Sequence, residues 1–350
     1  MNENKKAVFI INPKSGTTGK EHIVDQINRL LDKNIYTSFD ICKTEYQGHA
    51  TEIAAKAAAD NVSVVCAVGG DGTVNETAKA LVNTDTALAI IPCGSGNGLA
   101  RHLHIPMESS RAIAMLNRMN IRTMDYGKVN NIPFFCTCGM GFDAFISMKF
   151  AQAGRRGPMT YIENILRSGL NYNPETYDIE FIDDKEEHRV HKAFLISCAN
   201  ASQYGNNAYI APKASVSDGL MDVTIIEPFT VIDAPTIAIQ LFNGTIDQNS
   251  RIKSFRCRKL MVHREKPGVI HYDGDPIMTD KDICVEIVPN ALKCVCSDSE
   301  GWKDVAGNLQ NMIVEHFNDM YMKSEVMIQK RNQQIQKFNR NIKKKLTGKN

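Results

Sequence analysis

The sequence predicts an α/β chain: an N-terminal α/β domain with a parallel sheet, followed by an antiparallel β-rich second domain. Three observations carry this. Short apolar runs alternate with helix-spaced segments through residues 7–119, the pattern of a parallel sheet covered on both faces. Near Asp125 the pattern changes to short strands that continue to residue 297, as antiparallel domains do. The connections 12–20, 69–75 and 92–98 are rich in Gly, Ser, Thr and Asn and all follow strands. That is the sheet edge at which open α/β folds bind ligands.

The elements follow in order. Ala7–Asn12 reads as a strand, and Glu21–Lys33 as a helix from apolar residues at 23, 24, 27, 30 and 31. Ser38–Lys43 is a strand, Ala50–Ala59 an Ala-rich helix, and Ser63–Val68 a strand. Asn75–Val82 is a helix, Ala87–Pro92 a strand, and Leu99–His102 and Ser110–Met119 close the series as helices. Beyond Asp125 the strands are Phe134–Cys138, Tyr177–Ile182, Ala193–Cys198, Asp222–Ile226, Lys259–His263, Val269–Tyr272 and Val285–Val288. Helical segments near 158–167 and 230–242 interrupt them. The domains are therefore placed at 1–125, 126–297 and 298–350, the last a helical segment returning to the first domain and ending in a basic tail.

Composition bounds the partners. With 43% apolar and 23% charged residues among 350, the chain can bury two cores and is not disordered. From Val326 to Asn350 there are eight Lys or Arg and no Asp or Glu, so the net +2 leaves −6 on the rest. A basic tail favours an anionic membrane surface over nucleic acid. Ile328, Ile335 and Ile342 repeat at seven within it, an amphipathic stripe suited to such a surface. Ten cysteines sit mostly in apolar runs without a CxxC pair, which reads as free thiols in a reducing cytosol. No signal peptide is evident and no apolar stretch reaches the about 18 residues that span a bilayer. His102 and His104 read as surface or helix-end residues.

Two motifs carry chemistry. Asn12-Pro13-Lys14-Ser15-Gly16 follows the first strand, with backbone N–H groups that can cradle phosphate. Gly69-Gly70-Asp71-Gly72-Thr73-Val74-Asn75-Glu76 places three glycines in four positions before a helix, so backbone and helix dipole both face a polyphosphate. Asp71 is a carboxylate fixed among them, suited to magnesium or to polarising a hydroxyl. The stretch is neither GxGxxG nor a P-loop.

Together these motifs resemble the catalytic domain of the diacylglycerol kinase family, which includes bacterial lipid kinases, sphingosine kinases and ceramide kinases. The shorter GGDG element also occurs in NAD kinases and phosphofructokinases. Lys43-Thr44 with Gly48-His49-Ala50, Pro92–Asn97, Asp125-Tyr126-Gly127, Gly139–Asp143, Asp218–Asp222 and Tyr272–Pro276 match further family elements in order. The resemblance implies an NAD kinase- and phosphofructokinase-like first domain, ATP in the cleft between domains, and a lipid acceptor met at a membrane surface. It assigns ATP contacts to Asn12, Pro13, Lys14, Ser15, Gly16, Thr44, Gly69, Gly70, Asp71, Gly72, Thr73, Val74, Asn75 and Ser95. It assigns Mg2+ to Ser215, Asp218 and Leu220, the last through its backbone. Asp275 matches the proposed proton acceptor of the bacterial branch, and Asp71 that of the sphingosine kinase branch. The bacterial enzymes usually carry Asp where Gly98 stands, and the Gly94–Ala100 loop looks more like that of sphingosine kinases. The acceptor is thus left open between diacylglycerol and a sphingoid base or other long-chain alcohol. A soluble nucleotide-metabolite kinase such as an NAD kinase is the alternative. The implied location is cytoplasmic and peripherally membrane-associated, with room for a homodimer.

Overall fold

Four parallel strands build the first half. These are β1 (Lys5–Ile11), β2 (Tyr36–Lys43), β3 (Val64–Gly69) and β4 (Ala87–Pro92), in spatial order β2-β1-β3-β4. Every residue of β3 and β4 is buried, because helices cover both faces of a central parallel strand. The covering helices are α1 (Glu21–Leu30), α2 (His49–Ala59), α3 (Asp71–Leu81), α4 (Gly98–His102) and α5 (Ser109–Leu116). α1 buries Ile23 and Ile27, and α2 buries Ala50, Ala54 and Ala57, each set at helical spacing.

The structure is a computed structural model, and it describes residues 5–16, 20–153, 172–182, 187–230 and 232–297. The helices expected near 158–167 and within 298–350 lie outside these. Met1–Trp302 forms one compact unit.

Beyond β4 come β5 (Ile121–Val129), β6 (Ile132–Phe134), β7 (Thr137–Gly141) and α6 (Phe142–Ala153). β8 (Glu175–Phe181), β9 (Glu187–Ala193), β10 (Leu195–Ala199), β11 (Met221–Ile226) and α7 (Ala234–Asn243) follow. The series closes with β12 (Ile252–Cys257), β13 (Lys259–Arg264), β14 (Gly268–Tyr272), β15 (Asp275–Thr279) and β16 (Asp282–Val295). Two sheets result. One continues the parallel strands as β4-β16-β13-β8-β9, with β5 pairing β16 and β6 pairing β5; the other is β12-β11-β10-β7-β14-β15, antiparallel throughout.

Alternation along β10 shows how the second sheet packs. Ile196 and Cys198 join a core with Ile179, Val262 and Val285 of the first sheet. Leu195 and Ala199 face the other way, onto Phe142, Ile146 and Ile237 of α6 and α7. One face thus meets a sheet and the other meets helices, as the strand period of two requires.

Several expected elements are redrawn. α3 starts at Asp71 rather than Asn75, because Gly70 is extended and its carbonyl accepts the Val74 N–H. The expected strand Phe134–Cys138 is broken into β6 and β7, since the N–H groups of Phe135 and Cys136 bond to the Asp273 carboxylate instead of a neighbouring strand. α6 has no counterpart in the sequence reading. Val285–Val288 is the middle of a 14-residue strand that continues past a register break between Val288 and Leu292.

Candidate active site

β1, β3 and β4 are neighbours running in one direction, so the loops that follow them emerge together. Asn12 Nδ2 donates to Thr73 Oγ1 at 3.2 Å, and Asn12 Oδ1 accepts the Lys14 N–H at 2.9 Å. Gly16 has φ +73°, and a β-carbon there would lie 2.3 Å from the Cys93 carbonyl oxygen. The Cys93 N–H donates to the Gly69 carbonyl at 2.7 Å. A β-carbon on Gly94 would lie 2.7 Å from Gly70 Cα. Thr44 donates its N–H to Ile11 at 2.9 Å, which brings it beside Asn12. The outcome is a floor of close-packed backbone at the N-terminus of α3, with Pro13, Lys14, Gly72 and Ser95 exposed. Such a floor suits an anion. Lys20 is buried at the same place, 6% exposed. Nothing in the sequence marked it, because a lone lysine after a Gly-rich loop has no periodicity to betray it.

Asp71 ties this floor together. Its Oδ2 accepts the Asn97 N–H at 2.9 Å and its Oδ1 the Gly98 N–H at 2.7 Å. Asn97 adopts the left-handed conformation that Asn tolerates. Its side chain bonds to both the N–H and the carbonyl of Gly94. Burial pushes the Asp71 carboxyl above the usual carboxylate range, against the lowering effect of the Gly98 and Asn97 N–H groups and of Arg101. Gly98 has a packing reason: a β-carbon there would lie 3.1 Å from the carbonyl oxygens of Gln203 and Tyr204. Its identity therefore reports how closely the 203–205 loop approaches, and is not by itself a pointer to the acceptor.

A cavity of about 170 Å³ opens beside Asp71, and Asn75, Asp143, Tyr204, His271 and Asp273 also line it. The Asn75 side chain donates to Asp273 Oδ2 at 2.8 Å. The same oxygen accepts the Phe135 N–H at 2.8 Å, while Oδ1 accepts those of Cys136 and Thr137 at 2.8 and 3.1 Å. Burial raises the Asp273 pKa, opposed by these donors. Raised carboxyl groups gathered in one cavity are a mark of functional sites. The sequence reading missed Asp143, His271 and Asp273. Asp143 and Asp273 stood inside quoted motifs, but nothing in the spacing showed that 143, 204 and 271 meet. Asp275, the expected proton acceptor, is not among the lining residues; it begins β15 next to Gly274, which is, and is exposed.

The positions expected to hold magnesium are 215, 218 and 220, next to a separate hollow lined by Asp218, Arg258 and Asn290. Asp218 Oδ1 accepts the Leu220 N–H at 3.1 Å, and its Oδ2 contacts the Arg256 guanidinium. Ser215 Oγ accepts the Ser217 N–H at 3.4 Å. The donors are all oxygen, as magnesium prefers, but the one carboxylate already has a cation in Arg256. As arranged, these residues do not fit a divalent ion. No group of three or more His, Cys, Asp or Glu placed to hold a metal occurs among the described residues. The neighbouring Asp218-Gly219 turn is held from within instead. Buried Asp125 accepts the Gly219 N–H at 2.7 Å and the Asn290 N–H at 2.8 Å.

His102 is a helix-end residue, the last of α4, and is half-buried. Its Nδ1 accepts the Ser202 N–H at 3.1 Å, and burial holds its pKa down at about 4. No helix among the described residues is long and apolar enough to cross a membrane.

Comparison with known proteins agrees with this architecture. Residues 6–129 match the diacylglycerol kinase catalytic domain, and residues 136–296 match the YegS C-terminal NAD kinase beta sandwich-like domain. A "Probable lipid kinase YegS-like" of Serratia proteamaculans is 26% identical over 302 residues, covering 84% of this chain and 95% of the relative. An uncharacterized protein of Synechocystis is 28% identical over 309 residues, covering 83% of this chain and 70% of the relative. A crystal structure of a diacylglycerol kinase from Bacillus anthracis has the same fold, with a TM-score of 0.65 at 20% identity over 84% of this chain and 97% of that one. The matched domains run in sequence from the backbone floor through the sheet carrying Asp273, and the chain belongs to the diacylglycerol kinase catalytic-domain family.

Proposed function

We propose that this enzyme of a lipid kinase family transfers the γ-phosphoryl group of ATP, taken as its magnesium chelate, to a hydroxyl of a lipid acceptor. The observation that carries the reading is the junction at Asp71. One carboxylate there holds the phosphate floor, and it also lines the cavity with Asp143 and Asp273. A nucleotide on the floor and a hydroxyl in the cavity would be adjacent. Phosphoryl transfer asks for positioning and charge neutralisation more than covalent help. The backbone N–H groups of 12–16 and 69–73, with Thr44 and Ser95, supply contacts for the phosphates. The first domain binds the nucleotide and the second the lipid. A carboxylate takes the hydroxyl proton as the acceptor oxygen attacks; we assign Asp275 by motif, with Asp71 as the competitor. Diacylglycerol and sphingoid bases both present such a hydroxyl.

The deciding experiment offers labelled ATP with a total lipid extract of the host, and separately with diacylglycerol, sphinganine and NAD. A phosphorylated lipid, identified by mass, is the expected result. Phosphorylated NAD with no lipid product would replace this reading by a soluble nucleotide-metabolite kinase. The enzyme is expected in the cytoplasm, meeting lipid at the membrane surface through its basic tail. Deleting 326–350 should weaken binding to anionic liposomes, and unchanged binding would remove the tail from the reading.

A further inference from the structure

The cavity wall includes a histidine that the reaction as described does not use. His271 is 1% exposed, in β14 two residues before Asp273. Its Nε2 lies 2.9 Å from Asp143 Oδ2. Its Nδ1 accepts the Gly274 N–H at 3.3 Å. The same Asp143 oxygen accepts the Tyr204 hydroxyl at 2.7 Å. One imidazole therefore spans a carboxylate on the first turn of α6 and the backbone of the turn from which Asp275 projects. The chain makes room for it. Gly139 stands opposite His271 across β7 and β14. A β-carbon there would lie 2.6 Å from His271 Nε2 and 2.3 Å from Asp143 Oδ2. Burying an imidazole costs free energy that an apolar side chain would not; here the Gly274 N–H satisfies Nδ1 and the Asp143 carboxylate faces Nε2 without hydrogen-bond alignment.

We propose that His271 is a positioning residue for phosphoryl transfer: it holds the Asp143 carboxylate through Nε2 and the Gly274 backbone through Nδ1, and so fixes the turn bearing Asp275 against the cavity. The inference rests on the lipid kinase reading. A neutral imidazole that accepts from Gly274 at Nδ1 carries its proton on Nε2, facing the Asp143 carboxylate at 2.9 Å in an electrostatic contact that lacks hydrogen-bond alignment. A second proton falls on Nδ1 and sets two N–H groups against each other. The groups facing His271 are Asp143 from α6, Asp273 and Asp275 from the turn, and the Tyr204 ring at 6.4 Å. Its strand partners Gly139 and Pro276 carry no charge. Burial lowers the His271 pKa, but the three carboxylates outweigh it and raise the group above its ordinary value. The sign follows. Because the folded pKa is raised, protonation of His271 stabilises the fold at low pH, and that contribution is lost as pH rises through the folded pKa. Turnover moves the other way, falling with pH as the Gly274 contact is lost.

The test uses the full chain as wild type, His271→Ala, His271→Asn and His271→Gln, with kcat and KM measured from about pH 5 to pH 9. Asn can keep the acceptor toward Gly274, and Gln the donor toward Asp143. His271→Ala should lose roughly 10²-fold in kcat with KM for ATP unchanged. Asn and Gln should each restore part of it, and all three should lack the acid limb of the wild-type profile. Nitrogen-15 NMR of the wild-type imidazole should show the neutral form protonated at Nε2. A neutral form protonated at Nδ1 overturns the proposal, whether or not the variants fold. An active wild type matched in kcat and acid limb by His271→Ala overturns the proposal alone. A wild type inactive on every lipid overturns the kinase reading and this inference with it.

Discussion

Asp71 and Asp275 are both aspartates beside glycine, yet the structure gives them different surroundings. Asp71 uses both oxygens to hold backbone N–H groups of the next loop. Asp275 sits exposed at the start of an edge strand. Asp71→Asn offers an NH₂ group to one of its two N–H donors. It should cost about 1–3 kcal/mol of stability, read by urea denaturation, besides lowering turnover. Asp275→Asn should leave the denaturation midpoint and ATP binding in place and reduce turnover by about 10²–10⁴-fold, as loss of a general base does. If Asp275→Asn binds ATP and lipid and turns over at the wild-type rate, the assignment passes to Asp71. The residue types of the backbone floor beside Asp71 were legible because each loop advertised its glycines. The partners of Asp273 were not, because Asn75 and Asp273 are 198 positions apart.

At the scale of elements, period and turn chemistry located most strands and helices, and tertiary contacts moved their ends. β6 and β7 separate because one carboxylate takes the N–H groups of Phe135 and Cys136 between them and of Thr137 at the start of β7. α6, with sequence FDAFISMKFAQA, escaped notice because apolar residues fall all around it rather than on one stripe. Glycines at element contacts are set by space. A β-carbon on Gly127 of β5 would fall 2.0 Å from the ring of Phe134, which is wholly buried. Gly127→Ala should therefore destabilise the fold on the order of 3 kcal/mol by overpacking, seen as a lower thermal midpoint. Gly72→Ala, where a β-carbon meets nothing within 4 Å, is the control for stability. It should leave the midpoint unchanged or raised.

The molecule as a whole is joined by its last described strand. β16 pairs with β4 on one side, β13 on another part of its length, and β5 along both halves. The apolar positions Leu292, Cys294 and Val295 enter the core of the parallel sheet, while Ile283 and Val285 enter the core between the two sheets. A chain ending at 302 should melt in one cooperative transition. A chain ending at 281 should lose both cores and show none, by calorimetry or circular dichroism. A cooperative transition in the shorter chain would show that β16 is not required.

The sequence by itself determined the alternation of strand and helix, the order of the motifs and hence the family, because these depend on local period, turn residues and spacing. It could not determine which side chains share the cavity. That was decided by the second sheet, which brings Asp143, Tyr204 and the His271–Asp273 stretch from three separate segments to the edge of the first. Contacts between residues so far apart in the chain leave no local pattern, and only packing of one sheet on the other brings them together.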